Sequence, residues 1–189
     1  MSGLPVQYGS MKEIYLQPFG DFDDSILDIL STRLSDRFCA QCRIGQSASP
    51  SQAAYDSSRK QHRSAVFLDQ LKKLLPDEQP EGVLKGLAVV DTDLYAPRLN
   101  FVFGEAEMGG KCAVISLFRL RPGFYGMDPD PDLFRGRAVK EAVHELGHTF
   151  GLRHCEDPKC VMHFSNTIAD TDYKDDDFCS ICKISAAAK

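Results

Sequence analysis

The chain has 189 residues, of which 43% are hydrophobic and 26% charged, and its net charge is −5. This is the composition of a soluble globular protein long enough to bury its own core as one domain. The acidic balance gives no general attraction to nucleic acid or anionic membrane, and no apolar run approaches the ~18 residues of a membrane span.

The N-terminus lacks the basic start and apolar stretch of a secretory signal. Met11 offers an alternative start, with residues 1–10 a leader or expression remnant. A first strand is expected over 12–18, where Ile14 and Leu16 alternate with polar neighbours. Helix-start signals at 21–24 precede Ile26, Leu30, Leu34 and Phe38 at helical spacing, which predicts a helix over 23–37. A strand follows over 38–44. The Ser/Ala/Gln-rich stretch 45–58 reads as a loop, and 59–75 as a second helix with Phe67, Leu71 and Leu74 inward and Pro76 just past its end. Strands are expected over 83–90, 99–103 and 113–120, with 104–111 between the last two. A loop over 121–132 leads into a helix from about 133 to 150, its core face Val139, Val143, Leu146 and Phe150. Beyond Gly151 the chain turns Cys-rich, with no clear helix until its end. Strands alternating with helices argue an α/β sheet.

The decisive segment is His144-Glu-Leu-Gly-His148-Thr-Phe-Gly151-Leu-Arg-His154. Helical residues four apart share a face, so His144 and His148 can reach one metal. Glu145 lies roughly 100° round the helix, where its carboxylate approaches a water on that metal without ligating it. Continued helix would carry His154 about 15 Å along the axis from His144. Gly151 resolves this, because glycine readily takes the left-handed conformation that ends a helix and turns the chain back. Three histidines and one water form the open coordination of a catalytic zinc.

The chain has seven cysteines. Cys179 and Cys182 form a C-x-x-C pair that one tetrahedral zinc can accept, and Cys155 and Cys160 supply another pair. Four thiolates close the coordination sphere, so this metal is structural. Two disulfides are the alternative, and the missing signal peptide favours reduced thiols in the cytoplasm. Cys39 and Cys42 stand at an odd strand spacing that sends them to opposite faces, and read as ordinary thiols. Cys112 reads as core. His62 reads as a solvated residue on the second helix. His163 reads as a surface residue, with cleft lining and oxyanion stabilisation the alternative. The run 175–177 reads as a solvated acidic loop.

Residues 144–182 resemble the archaemetzincins, in which H-E-x-x-H-x-x-G-x-x-H is followed at once by a cysteine, then by a second cysteine, a nearby methionine and a closing C-x-x-C. Here these are Cys155, Cys160, Met162, Cys179 and Cys182. The stretch Asn100-Phe-Val-Phe-Gly-Glu-Ala106 resembles the same family, so the likeness covers most of the chain from residue 11. The resemblance implies a compact metzincin-like α/β fold. Its parts would be a mixed twisted sheet, an active-site helix and a small C-terminal segment held by a four-cysteine zinc site. It places Met162 in a turn beneath the catalytic zinc, and implies that a peptide pairs along a sheet edge near 101–103.

The expected organisation is one catalytic domain over 11–189, divided into an α/β part (11–153) and a zinc-stabilised segment (154–189). The expected function is hydrolysis of peptide bonds in a peptide or protein substrate by a cytoplasmic monomer. It would carry one catalytic and one structural Zn2+, with Glu145 as the base. A zinc-stabilised binding protein with a weak or latent site is the rival reading, but pure structural zinc has no need of Glu145. A nucleic-acid-binding zinc ribbon fits poorly, since basic-aromatic clusters around the cysteines are lacking.

Overall fold

The computed structural model describes residues 13–21, 23–75 and 84–187. The proposed leader, Met11, Pro76 and the start of the strand expected at 83 lie outside these residues.

Strand β1 (Glu13–Phe19) leads into helix α1 (Asp24–Phe38) and strand β2 (Gln41–Ile44). Two short strands, β3 (Tyr55–Asp56) and β4 (Gln61–Arg63), precede helix α2 (Ser64–Leu74). Next come β5 (Leu84–Val90), β6 (Leu94–Tyr95), β7 (Gly104–Ala106) and β8 (Cys112–Ser116). Helix α3 (Pro131–Thr149) is followed by α4 (Ile168–Tyr173) and α5 (Ser180–Ala187). The main sheet has the order β2-β1-β5-β8-β7. Its first four strands are parallel and β7 runs antiparallel at the edge, so the sheet is mixed, as expected.

Period-2 alternation divides the core between two faces. Leu87, Val89, Ala113 and Ile115 point toward α1, α3 and the C-terminal segment. Ala88, Val90, Cys112 and Val114 point the other way, onto Phe67, Leu68 and Leu71 of α2. The segment His144–His148 therefore lies on a helix clamped between sheet and C-terminal segment.

Several expectations need correction. Helix α2 begins at Ser64, not 59, because residues 61–63 pair as β4 with β3 and β6 in a second, three-stranded sheet. Arg59 is occupied there, donating to the Leu99 and Asn100 carbonyls at 2.9 and 3.0 Å. Among the described residues 99–103 form no strand. The stretch makes a turn (Leu99 N–H to Ala96 O, 3.1 Å) and one bridge (Val102 to Leu94), and the sheet edge begins at Gly104. Finally, β8 stops at Ser116, whose hydroxyl accepts from Phe118 N–H at 3.2 Å and donates to Thr92 O at 2.6 Å, and 118–120 close as a 3-10 turn.

Candidate active site and cysteine cluster

Helix α3 starts two residues before its expected position. Asp130 caps it by accepting from Leu133 N–H at 2.9 Å, and Pro131 occupies the first turn, where a missing N–H costs nothing. The other end closes as a Schellman turn: Leu152 N–H reaches Gly147 O at 3.1 Å and Gly151 N–H reaches His148 O at 2.8 Å. Gly151 has φ +76°, the left-handed conformation that the sequence called for. Lys85 from β5 donates to Thr149 O at 2.9 Å and Gly110 O at 2.8 Å, a cation at the negative end of the helix dipole.

This turn brings His154 back over the helix. The three imidazoles stand 4.7 to 5.3 Å apart by centroid, and one nitrogen from each lies within 4.8 Å of the others. His144 Nδ1 is 2.8 Å from Val161 O and His148 Nδ1 is 2.7 Å from Leu152 O. A carbonyl only accepts, so both Nδ1 atoms carry the proton and both Nε2 atoms present lone pairs. Burial, the largest cause for each ring, pushes both pKa values down and keeps the rings neutral. The two Nε2 atoms nevertheless face each other at 3.1 Å. Two opposed lone pairs at that distance repel unless a cation sits between them, so the donor set fits a metal such as zinc.

Glu145 follows His144 on the cleft wall, buried beside Gly104 at the start of β7. A β-carbon on Gly104 would fall 2.5 Å from Glu145 Cγ and 2.8 Å from Oε1, so the glycine is what admits the carboxylate. Burial, and then the neighbouring Glu141, raise its pKa well above the ordinary glutamate value, and the charge of Lys174 partly opposes them. The cleft itself is about 560 Å³, and Phe101, Phe103 and Phe164 contribute much of its apolar wall.

The sulfur atoms of Cys155, Cys160, Cys179 and Cys182 also lie within 4.8 Å of one another. Cys155 Sγ and Cys179 Sγ are 3.8 Å apart, far beyond the ~2.05 Å of a disulfide. Zinc–sulfur bonds of ~2.3 Å give a tetrahedron whose edge is about 3.8 Å. Burial raises the pKa of both Cys160 and Cys182, so four thiolates need a cation to hold them together. The donor set again fits zinc.

The remaining sequence candidates stay apart from both clusters. Cys39 is exposed and Cys42 half-buried; Cys112 is fully buried, and burial raises its pKa to about 11. His163 turns its Nδ1 toward Cys155 O at 2.9 Å and does not line the cleft. His62 lies on β4, not on the second helix, and is half-buried between the rings of Tyr55 and Phe67. The acidic run is not simply solvated: Asp176 pairs with Arg33 and Arg37 of α1, and Asp177 with Lys183 at 2.7 Å.

Sequence reasoning missed α4 and the ion pairs that fasten it to α3. Arg137, fully buried, donates to both Asp172 carboxylate oxygens at 2.6 and 2.7 Å. Lys174 pairs with Glu141 at 3.1 Å, and Thr171 donates to the same carboxylate at 3.0 Å. The only sequence signal was a capping box, Thr167 with Asp170.

The profile of peptidase family M54 matches residues 25–186. The archaemetzincin of Methanocaldococcus jannaschii is 46% identical over 172 residues, covering 91% of each chain. That of Pyrococcus abyssi is 44% identical over 177 residues, covering 91% of this chain and 93% of the relative. Among solved structures, the archaemetzincin of Methanopyrus kandleri superposes with a TM-score of 0.83 at 36% identity, covering 97% of this chain and 98% of that one. The archaemetzincin of Archaeoglobus fulgidus, solved in complex with malonate, gives 0.77 at 39% identity, covering 92% and 99%.

Proposed function

The chain belongs to peptidase family M54, the archaemetzincins, and is a zinc metallopeptidase; from that premise we propose which residues carry the metal and the chemistry. His144, His148 and His154 hold a catalytic zinc, Cys155, Cys160, Cys179 and Cys182 hold a structural one, and Glu145 is the base. The observation that carries this reading is the pair of neutral Nε2 lone pairs facing each other at 3.1 Å, with His154 beside them.

The bound zinc would supply Lewis acidity, polarising a carbonyl and making a water easier to deprotonate. The protein supplies the rest. The Val161 and Leu152 carbonyls fix the tautomer and aim of His144 and His148. Glu145 Oε1 or Oε2 takes the proton of the attacking water and later delivers it to the leaving amine. The rim of the cleft is the edge strand β7, along which an extended peptide pairs through its backbone; the edge is 104–106, three residues on from the segment the sequence suggested. The four-cysteine cluster has no open position and fastens the segment that follows His154.

Glu145→Ala tests the assignment. The variant should retain its fold and close to two zinc ions per chain, and should lose cleavage of an internally quenched peptide library by roughly 100-fold or more, the scale of a general base. Wild-type cleavage by the variant would sink the mechanism, and loss of one zinc would make Glu145 a ligand. A stoichiometry of one in folded wild-type protein would remove one of the two metal assignments.

A further inference from the structure

Large apolar side chains are exposed around the cleft in two groups. Leu99, Met108 and Phe164 form its rim. Phe118, Phe124, Tyr125 and Met127 lie close together in sequence and are 40, 43, 37 and 48% exposed. Ring contacts join the second group to the cleft wall. Phe103 and Phe101 line the cleft with centroids 5.2 Å apart. The Arg119 guanidinium lies 4.2 Å from the Phe101 centroid and 4.9 Å from that of Phe124. Phe124 in turn meets Phe118 at 5.6 Å and Tyr125 at 5.1 Å. Arg119 is pinned, because its Nε and Nη2 donate to the Asp93 carboxylate at 2.6 and 2.7 Å. A ledge of edge-to-face rings, held by the pinned arginine, therefore runs out of the cleft onto the surface. A solvated apolar ledge of this kind marks an interaction surface, and aromatic rings around a fixed arginine are the usual composition of its tight-binding centre.

We propose that this ledge is an extended substrate-binding surface that selects unfolded polypeptide segments rich in aliphatic and aromatic side chains. The proposal rests on the peptidase reading above and adds the substrate class. The occupant is the substrate chain because the ledge is continuous with the cleft, sharing Phe101 and Phe103 with it. An extended chain rises about 3.3 Å per residue, so four or five residues span the contacts from Phe103 to Phe124 laid end to end. Every second side chain of such a strand faces the same way and can settle between the rings. A short peptide ends before the ledge, and a folded protein offers no free extended segment to lie on it.

The test uses the double variant Phe118→Ser/Phe124→Ser, in which both side chains are already two-fifths exposed. Three peptides are compared: a cleavable hexapeptide, the same peptide extended by eight residues with Phe or Leu at alternate positions, and a Gly/Ser extension of equal length. Each extension is made at either end. Binding of the fluorescently labelled peptides is followed by anisotropy, which reads the ledge whether or not the site cleaves, and kcat and KM are measured in parallel. The apolar extension at one end should tighten binding and lower KM about tenfold over the hexapeptide, the scale of burying two aromatic side chains in part. The variant should lose that gain and treat the hexapeptide as wild type does. An equal gain from the Gly/Ser extension, no gain from either apolar extension, or a gain that survives in the variant would each overturn the proposal. So would a wild-type dimer that the double variant dissociates, since a second copy would then cover the ledge. Failure of every peptide to be cleaved, with apolar binding intact, would instead count against the peptidase assignment.

Discussion

Met162 packs its thioether against the bare backbone of Gly147, in the turn of α3 that lies between His144 and His148. A β-carbon on Gly147 would stand 2.5 Å from Met162 Sδ and 3.3 Å from a ring carbon of Phe178. The methionine thus presses on the helix at Gly147, one residue before His148.

Gly147→Ala follows from that contact. In an open helix the change would add about 1 kcal/mol of stability. Here Met162 is fully buried and has nowhere to retreat. Overpacking of this sort costs about 1–3 kcal/mol, so the variant should unfold at lower urea and bind zinc at the histidines more weakly. Met162→Leu, which nearly conserves volume, should cost under ~1.5 kcal/mol. An alanine variant more stable than wild type would show that the contact is loose.

Gly104→Ala probes the other close approach. The added methyl would meet Glu145 Cγ at 2.5 Å and the Val114 carbonyl oxygen, which is backbone, at 2.7 Å. Moving the carboxylate relieves only the first contact, so β7 must also shift against β8, and both changes displace Glu145 from its place at the cleft. A displacement of about 1 Å can cost ~100-fold in rate, so kcat should fall by one to two orders of magnitude. Zinc content should be unchanged, because no histidine is touched. A variant with normal kcat would mean that Glu145 need not stand where it does.

The parts of the molecule legible in the sequence were those whose information is local. Alternating Ile14 and Leu16, the helical spacing of Ile26, Leu30 and Leu34, and the offset from His148 through Gly151 to His154 each fix geometry within a few turns of chain. What escaped depended on distant partners. Gln61–Arg63 look helical until β3 and β6 are present to pair with them. Leu99, Phe101 and Phe103 alternate as a strand would, yet Phe101 and Phe103 line the cleft and the pairing starts at Gly104. Nothing local explains Lys85 within an apolar strand, and only the folded chain shows it donating to Thr149 O at the end of α3. The same holds for Asp172 and Asp176, acidic residues in a polar stretch whose arginine partners lie 35 and 139 residues away.

Asp176 makes the acid stability of the C-terminal segment testable. Burial alone would push its carboxyl up, but hydrogen bonds from Arg37 and Arg33 outweigh burial and hold the pKa below the ordinary value. A group depressed in the folded state stabilises fully above its unfolded pKa, about 3.9 for aspartate, and ceases to do so as pH falls through the folded value. Asp176→Asn should therefore be less stable than wild type at pH 7, with the gap closing toward pH 3. Urea midpoints for both proteins across that range give the answer. A gap that stays constant would mean that the ion pairs contribute nothing.

The two proposed zinc sites should differ in lability and yet be mechanically linked. His154 and Cys155 are adjacent, and both backbone groups of Cys155 are tied: its N–H donates to Met162 O at 3.0 Å and its carbonyl accepts from His163 Nδ1 at 2.9 Å. The histidine site opens onto the cleft and should release zinc to a mild chelator first. The fold should survive, because α3 is held by its own caps, by Lys85 and by the core. The cysteine site is closed, and structural zinc in small modules is worth about 10–16 kcal/mol of apparent binding energy. Its loss should loosen the strip from Cys155 to Met162 and the segment around Cys179, while the Arg137–Asp172 and Lys174–Glu141 pairs keep α4 on α3. His154 would then lose its anchored neighbour, and the catalytic site would fall back to the two helix histidines. Cys179→Ser should accordingly weaken both sites, whereas His148→Ala should weaken only the catalytic one. Zinc stoichiometry under graded chelator, with far-UV CD to follow the helices, separates these outcomes. If Cys179→Ser leaves the catalytic zinc bound as tightly as in wild type, the linkage through residues 154 and 155 is absent, even with both metal sites intact.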